Sequence, residues 1–159
     1  MESEDLPIPL ANAGGSGAGD VDEVKGNVAL SNVSNSDATG TNNVYMGLNA
    51  LAHLTTGTKN VAIGTNALNA MTEGVANISI GMDSLKSVLS GSHNIALGIE
   101  TLRDIDVSDC IAIGSYALQY TTNSIGLNIA IGKYALQNDE EQDNIAIGVE
   151  SLRYNTTGY

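Results

Sequence analysis

One four-residue phrase recurs down the chain. Ile-Ala-Ile-Gly stands at 111–114, 129–132 and 145–148, and variants of it stand at 44–47, 61–64, 78–81 and 95–98. Aligned on that phrase, the chain divides into units beginning at Asn43, Asn60, Asn77, Asn94, Cys110, Asn128 and Asn144, spaced 17, 17, 17, 16, 18 and 16 residues apart. A worn earlier copy runs from Asn27 to Asn42, with Ser31 in place of the glycine. A period this short and this regular belongs to a stacked repeat architecture, in which no unit can bury its own apolar side chains without its neighbours.

Within each unit the asparagine position is followed by a β-branched residue, a mostly small one, a large apolar one and a glycine, as in Asn60-Val61-Ala62-Ile63-Gly64. This is period-two alternation over a very short strand. The invariant corner glycines are Gly47, Gly64, Gly81, Gly98, Gly114, Gly132 and Gly148, each suited to a backbone turn that needs positive φ. Four residues past each glycine comes a leucine: Leu51, Leu68, Leu85, Leu102, Leu118, Leu136 and Leu152. Glycine in every unit and the lack of i, i+3, i+4 spacing argue against a helix. The expected fold is all-β, a short parallel β-solenoid or β-roll with 16–18 residues per coil. Coils would repeat at about 4.8 Å, so eight would span roughly 40 Å. The asparagines would then form a ladder of stacked amides, with Cys110 as a small buried thiol in one rung. Two large strand residues and one leucine per coil are expected to point inward. The Ala/Ser column is expected to face outward as a flat surface that a homotrimer would bury about a threefold axis. An intertwined triple β-helix suits the same repeat.

Composition agrees with a thin layered core: there is no Trp and no Phe, and six Tyr are the only aromatics. The formal charge of −12 argues against a nucleic-acid partner, which needs clustered Lys and Arg. The start, Met-Glu-Ser-Glu-Asp-Leu-Pro-Ile-Pro-Leu, lacks the basic and apolar regions of a signal peptide. No apolar run approaches a membrane span of about 18 residues. The expectation is therefore a protein made in a cytoplasm, with no membrane partner. Residues 1–26 read as an acidic, Gly-bearing arm and 27–159 as the repeat domain, with the degenerate coil at 27–42 and seven clear coils at 43–159.

The phrase N-[VI]-A-I-G-x-x-A-L-x-x-x-T-T-G, carried most fully by Asn60–Gly74 and by Asn144–Tyr159, closely resembles repeats of bacteriophage tail fibres and spikes. Its N-x-A-I-G part is also similar to the head repeats of YadA-like trimeric autotransporter adhesins, which form β-rolls in trimers. The resemblance covers about 43–159. It implies a trimeric, non-enzymatic structural protein of a virion, assembled in the host cytoplasm: a fibre, spike or whisker subunit with a host surface receptor or glycan as partner. A trimeric capsid decoration protein is the alternative, and a bacterial surface adhesin fits less well without a signal peptide and membrane anchor.

Individual residues add candidates. Leu6, Pro7, Ile8, Pro9 and Leu10 form the one apolar patch of the arm and are the candidate grip on a neighbouring virion protein. Tyr116 and Tyr134 hold the same position in adjacent coils and should stack as a structural ladder; the sharper reading is a glycan platform with Glu100 and Glu150 as polar partners. Acidic turns at Asp104, Asp106 and Asp109 and at Asp139, Glu140, Glu141 and Asp143 read as solvated, with a calcium ion as the alternative because oxygen ligands are plentiful. No other cofactor is expected. His53 and His93 lie in different turns and read as solvated. No phosphate loop, nucleophile elbow or metal-ligand spacing is present, so no catalytic residue is assigned.

Overall fold

A computed structural model describes residues 39–104, 106–120, 127–138 and 140–155, together with the backbone of 21–22 and 27–30. The candidate grip Leu6–Leu10, Ser31 and Asp139 lie outside the described residues. The strands are β1 (Val21–Asp22), β2 (Asn27–Leu30), β3 (Val44–Met46), β4 (Val61–Ile63), β5 (Ile78–Ile80), β6 (Ile95–Leu97), β7 (Ile111–Ile113), β8 (Ile129–Ile131) and β9 (Ile145–Ile147). They form one sheet in sequence order. From β2 to β9 every neighbour is parallel and equivalent residues are partners, as in Val61 with Ile78 and Ala62 with Ser79. β1, inside the stretch read as an arm, pairs antiparallel with β2. No described residue is helical. The chain is an all-β parallel solenoid with one repeat per coil, and each coil stacks on the next coil of the same chain, so the intertwined arrangement is not the one adopted.

The corners are tighter than glycine alone explains. Among the described residues 21 non-glycine positions have positive φ, three to a coil: the residue before the asparagine position, the second residue after the glycine, and the leucine. Leu68 has φ 50° and Asn66 φ 56°. Such a conformation costs a non-glycine residue roughly 1–2 kcal/mol. Burying a leucine side chain returns about 1.5–3 kcal/mol, and Leu51, Leu68, Leu85, Leu102, Leu118 and Leu136 are all fully buried. The glycine corner is closed from above as well: a Cβ on Gly64, at φ 131°, would lie 2.6 Å from the Gly81 carbonyl oxygen. Hydrogen bonds join the coils at each corner, for example Val61 N–H to Asn77 O (2.8 Å), Leu68 N–H to Ser84 O (3.1 Å) and Thr72 N–H to Leu89 O (2.9 Å).

The two faces of the strands are the reverse of the expectation. The middle residue of each strand is buried: Tyr45, Ala62, Ser79, Ala96, Ala112, Ala130 and Ala146. The flanking Val, Ile, Leu and Met residues are half-buried or exposed. The physical reason is parity. Asn43, Asn60, Asn77 and Asn94 are fully buried, and in a strand residues i and i+2 share a face. Once the asparagine points inward, the small residue must too. The interior is filled by the leucine column, by Leu54, Met71 and Val88 from the third side, and by small residues that let those sides close on the strand. A coil this narrow has no room for two large strand side chains as well. The Ala/Ser column is therefore core, and it cannot be the surface that a trimer buries.

Candidate interaction surface

The inversion leaves an apolar face outside. Its first column is Val44, Val61, Ile78, Ile95, Ile111, Ile129 and Ile145, and its second is Met46, Ile63, Ile80, Leu97, Ile113, Ile131 and Ile147. Past each glycine a third, mixed column continues as Leu48, Thr65, Met82, Ile99, Ser115, Lys133 and Val149. Most mid-stack residues of the two columns are half-buried, with Ile80 at 40% exposed, and Ile145, Ile147 and Val149 at the last described coil reach 65%, 69% and 72%. Seven strands give a strip roughly 30 Å long. No charged residue stands in the first two columns. A contiguous apolar strip on a charged protein makes this face the candidate interaction surface, and the parallel pairing holds equivalent side chains in register.

The other sequence candidates fall elsewhere. Tyr116 and Tyr134 stack with ring centroids 5.1 Å apart and 13° between planes. Arg153, one coil further on, places its guanidinium 4.4 Å from the Tyr134 centroid, and Lys133 its ammonium 4.7 Å away. Tyr134 thus lies between Tyr116 and a cation. Glu100 occupies the equivalent place one coil before Tyr116, where its carboxylate accepts from Arg103 Nη1 and from Gln119 Nε2. Glu150 pairs with Arg153 at 3.3 Å. The four candidates share one column, and each is engaged by a neighbour.

The acidic turn at 104–109 is built into the fold. Asp104 pairs with Arg103 Nη2 at 2.9 Å. Asp109 lies 3.6 Å from His93 and His53 Nδ1 donates to the Asn69 carbonyl at 2.8 Å, while both histidines are exposed. Asp106 accepts at Oδ1 from the backbone N–H groups of Leu89, Ser90 and Gly91, and at Oδ2 from the Ser90 hydroxyl. Two coils earlier the carbonyl of Thr72 takes the same three bonds, from Thr55, Thr56 and Gly57. The Asn94 coil is one residue shorter, and the Asp106 carboxylate substitutes for that carbonyl. Burial pushes the Asp106 carboxyl up, but these hydrogen bonds outweigh it and hold it below its ordinary value. Among the described residues no group of three or more His, Cys, Asp or Glu side chains is placed to hold a metal ion.

Two further features escaped the sequence reading. Arg153 Nε donates to Gln137 Oε1 (2.8 Å), Gln137 Nε2 donates to Gln119 Oε1 (2.8 Å), and Gln119 Nε2 donates to Glu100, a polar relay across four coils. Nothing in the period marks it, because equivalent positions earlier hold Ala52, Asn69 and Lys86. The outer apolar face did have a signal, in the shared parity of Asn and Ala. No protein-family model matches the chain, and no curated protein and no solved structure matches it either.

Proposed function

We propose that this chain is a non-enzymatic structural subunit of a virion, a fibre, spike or whisker stub that associates with two copies of itself through the outer Val/Ile face. The observation that carries the reading is that face: two uninterrupted apolar columns, half-exposed along seven parallel strands, on a chain of formal charge −12. Three such strips meeting about an axis bury all three at once and close the assembly. The carboxylates, which lie off the two columns, then stay in water. The repeat's resemblance to phage fibre and spike repeats supports the virion setting. In this reading the arm at 1–26 fastens the stub to a neighbouring virion protein, and host glycan contact falls to surfaces off the strip.

Solution mass by light scattering tests the assembly. A mass three times that of the chain, unchanged on dilution, is the expected result, and a monomer at all concentrations refutes it. Labelling intact particles tests the setting: tail-restricted copies are expected, and copies spread over the head shell would replace the fibre with a capsid decoration protein.

A further inference from the structure

Among the described residues the coils are not joined equally. Ten residues after each asparagine position, a backbone N–H reaches up to the carbonyl nine residues into the next unit. This rung is made by His53 to Asn69 (3.3 Å), Ala70 to Lys86 (3.0 Å), Ser87 to Arg103 (3.0 Å), Tyr120 to Gln137 (2.8 Å) and Asn138 to Arg153 (2.9 Å). The equivalent pair, Asp104 and Gln119, does not make it, although both residues are described. The missing rung lies between the Asn94 coil and the Cys110 coil.

Three other irregularities meet at the same junction. The spacing changes from 16 to 18 residues there. Cys110 keeps the backbone bond to Asn94 Oδ1 (3.0 Å) and stands in the ladder with a thiol in place of an amide. The Thr101 hydroxyl, in the Asn94 coil, is the buried side-chain polar atom with no hydrogen-bond partner among the described residues. Downward, by contrast, the Asn94 coil is tied firmly, through Asp106 to three backbone N–H groups and a hydroxyl of the coil below. Across the weak junction side chains do the joining: Gln119 donates to the Glu100 carboxylate, which also holds Arg103, and the Arg103 guanidinium lies 5.6 Å from the Tyr120 ring centroid.

We infer that the solenoid is jointed at this place: it opens first between the Asn94 and Cys110 coils, and the Glu100 carboxylate is the latch that holds the joint shut. Stacked repeats lose cooperativity where an interface between neighbours is weak, and local opening follows the least-bonded interface.

Hydrogen exchange on the full chain at neutral pH tests the joint. The amides of Leu102, Gly114 and Tyr116 cross this junction, and those of Leu85, Gly98 and Glu100 are their counterparts one junction below. The first set is expected to exchange roughly fivefold to thirtyfold faster, the factor that one or two kcal/mol gives. Equal protection of the two sets would overturn the joint. Glu100→Ala should widen the ratio further; a variant that leaves the ratio unchanged would overturn the latch. Because the comparison is internal to one chain, it reads the same whether the assembly is a trimer or a monomer.

Discussion

The side-chain carbonyl of Asn60 accepts twice from Asn77, once from its backbone N–H and once from its side-chain amide, each at 3.0 Å. The Asn77 amide also donates to the Gly91 carbonyl (2.9 Å), and its own Oδ1 accepts the same pair of bonds from Asn94, each at 3.0 Å. All of this is out of water. Asn77→Ala leaves the Asn94 N–H groups and the Gly91 carbonyl without their partner, and a buried group so stranded costs about 1–3 kcal/mol. The expected loss is therefore at least about 3 kcal/mol, read as a shift of the denaturant midpoint at unchanged slope.

Thr101 predicts a gain. Its hydroxyl is buried with no partner, while its column elsewhere holds alanine or serine. In the coil below, Ser84 has the partner that Thr101 lacks: its hydroxyl meets that of Ser79 at 2.5 Å. Thr101→Val keeps the shape and removes the unpaired group, so stability should rise by about 1 kcal/mol. A fall in the thermal midpoint would mean that the hydroxyl is bonded in solution.

Asp106 sets an acid dependence. Its folded carboxyl is held below the ordinary value of 3.8, so the unfolded chain takes up its proton first as pH falls. The carboxylate's contribution is fully present above the unfolded pKa and is lost as pH drops through the folded one. Chemical denaturation at pH 7 and across the acid limb should show wild type losing stability below pH 3.8 more steeply than Asp106→Asn, whose amide does not titrate. Parallel acid limbs for the two proteins would remove Asp106 as the cause.

The apolar face predicts a separation of folding from assembly. Ile95 and Ile113 point outward from adjacent strands, and a glutamate at each would put charge in the middle of the strip without entering the coil. The Ile95→Glu, Ile113→Glu pair should retain the β-sheet circular dichroism signal and fall to the monomer mass. A retained trimer would place the contact elsewhere.

Fold class and coil boundaries were legible because they rest on period alone. The glycine column, the leucine column and the asparagine ladder each recur at a fixed offset, and stacking follows from that. Which strand face lies inside was legible too, but only through a joint constraint: an amide ladder holds best away from water, and Asn60, Ala62 and Gly64 share one parity against Val61 and Ile63. Reading hydrophobicity residue by residue sends Val61 and Ile63 inward. Reading the ladder first sends them outward. The left-handed corners at Asn66 and Leu68 were not legible, because neither identity demands positive φ and only the closure of a narrow coil imposes it. The Asp106 substitution for a carbonyl was half legible, as a one-residue deletion without its remedy. The relay from Arg153 to Glu100 breaks the repeat and so left no periodic trace.

The inverted face gives the last prediction. Ala112 and Ile113 are neighbours in β7; the first is fully buried against the interior and the second is half-exposed on the outer strip. Had the large residues filled the core, Ala112→Leu would be a mild surface change and Ile113→Ala would open a cavity costing about 2–5 kcal/mol. The observed geometry reverses the order. Ala112→Leu must force a large side chain between the strand and the Leu118 side of the coil, an overpacking that costs about 1–3 kcal/mol or more. Ile113→Ala removes only half-exposed area from the folded chain. Measured under conditions that keep the chain monomeric, the alanine-to-leucine change should be the more destabilising of the two. The opposite order would put the Val/Ile columns back inside the coil and remove the surface on which self-association rests.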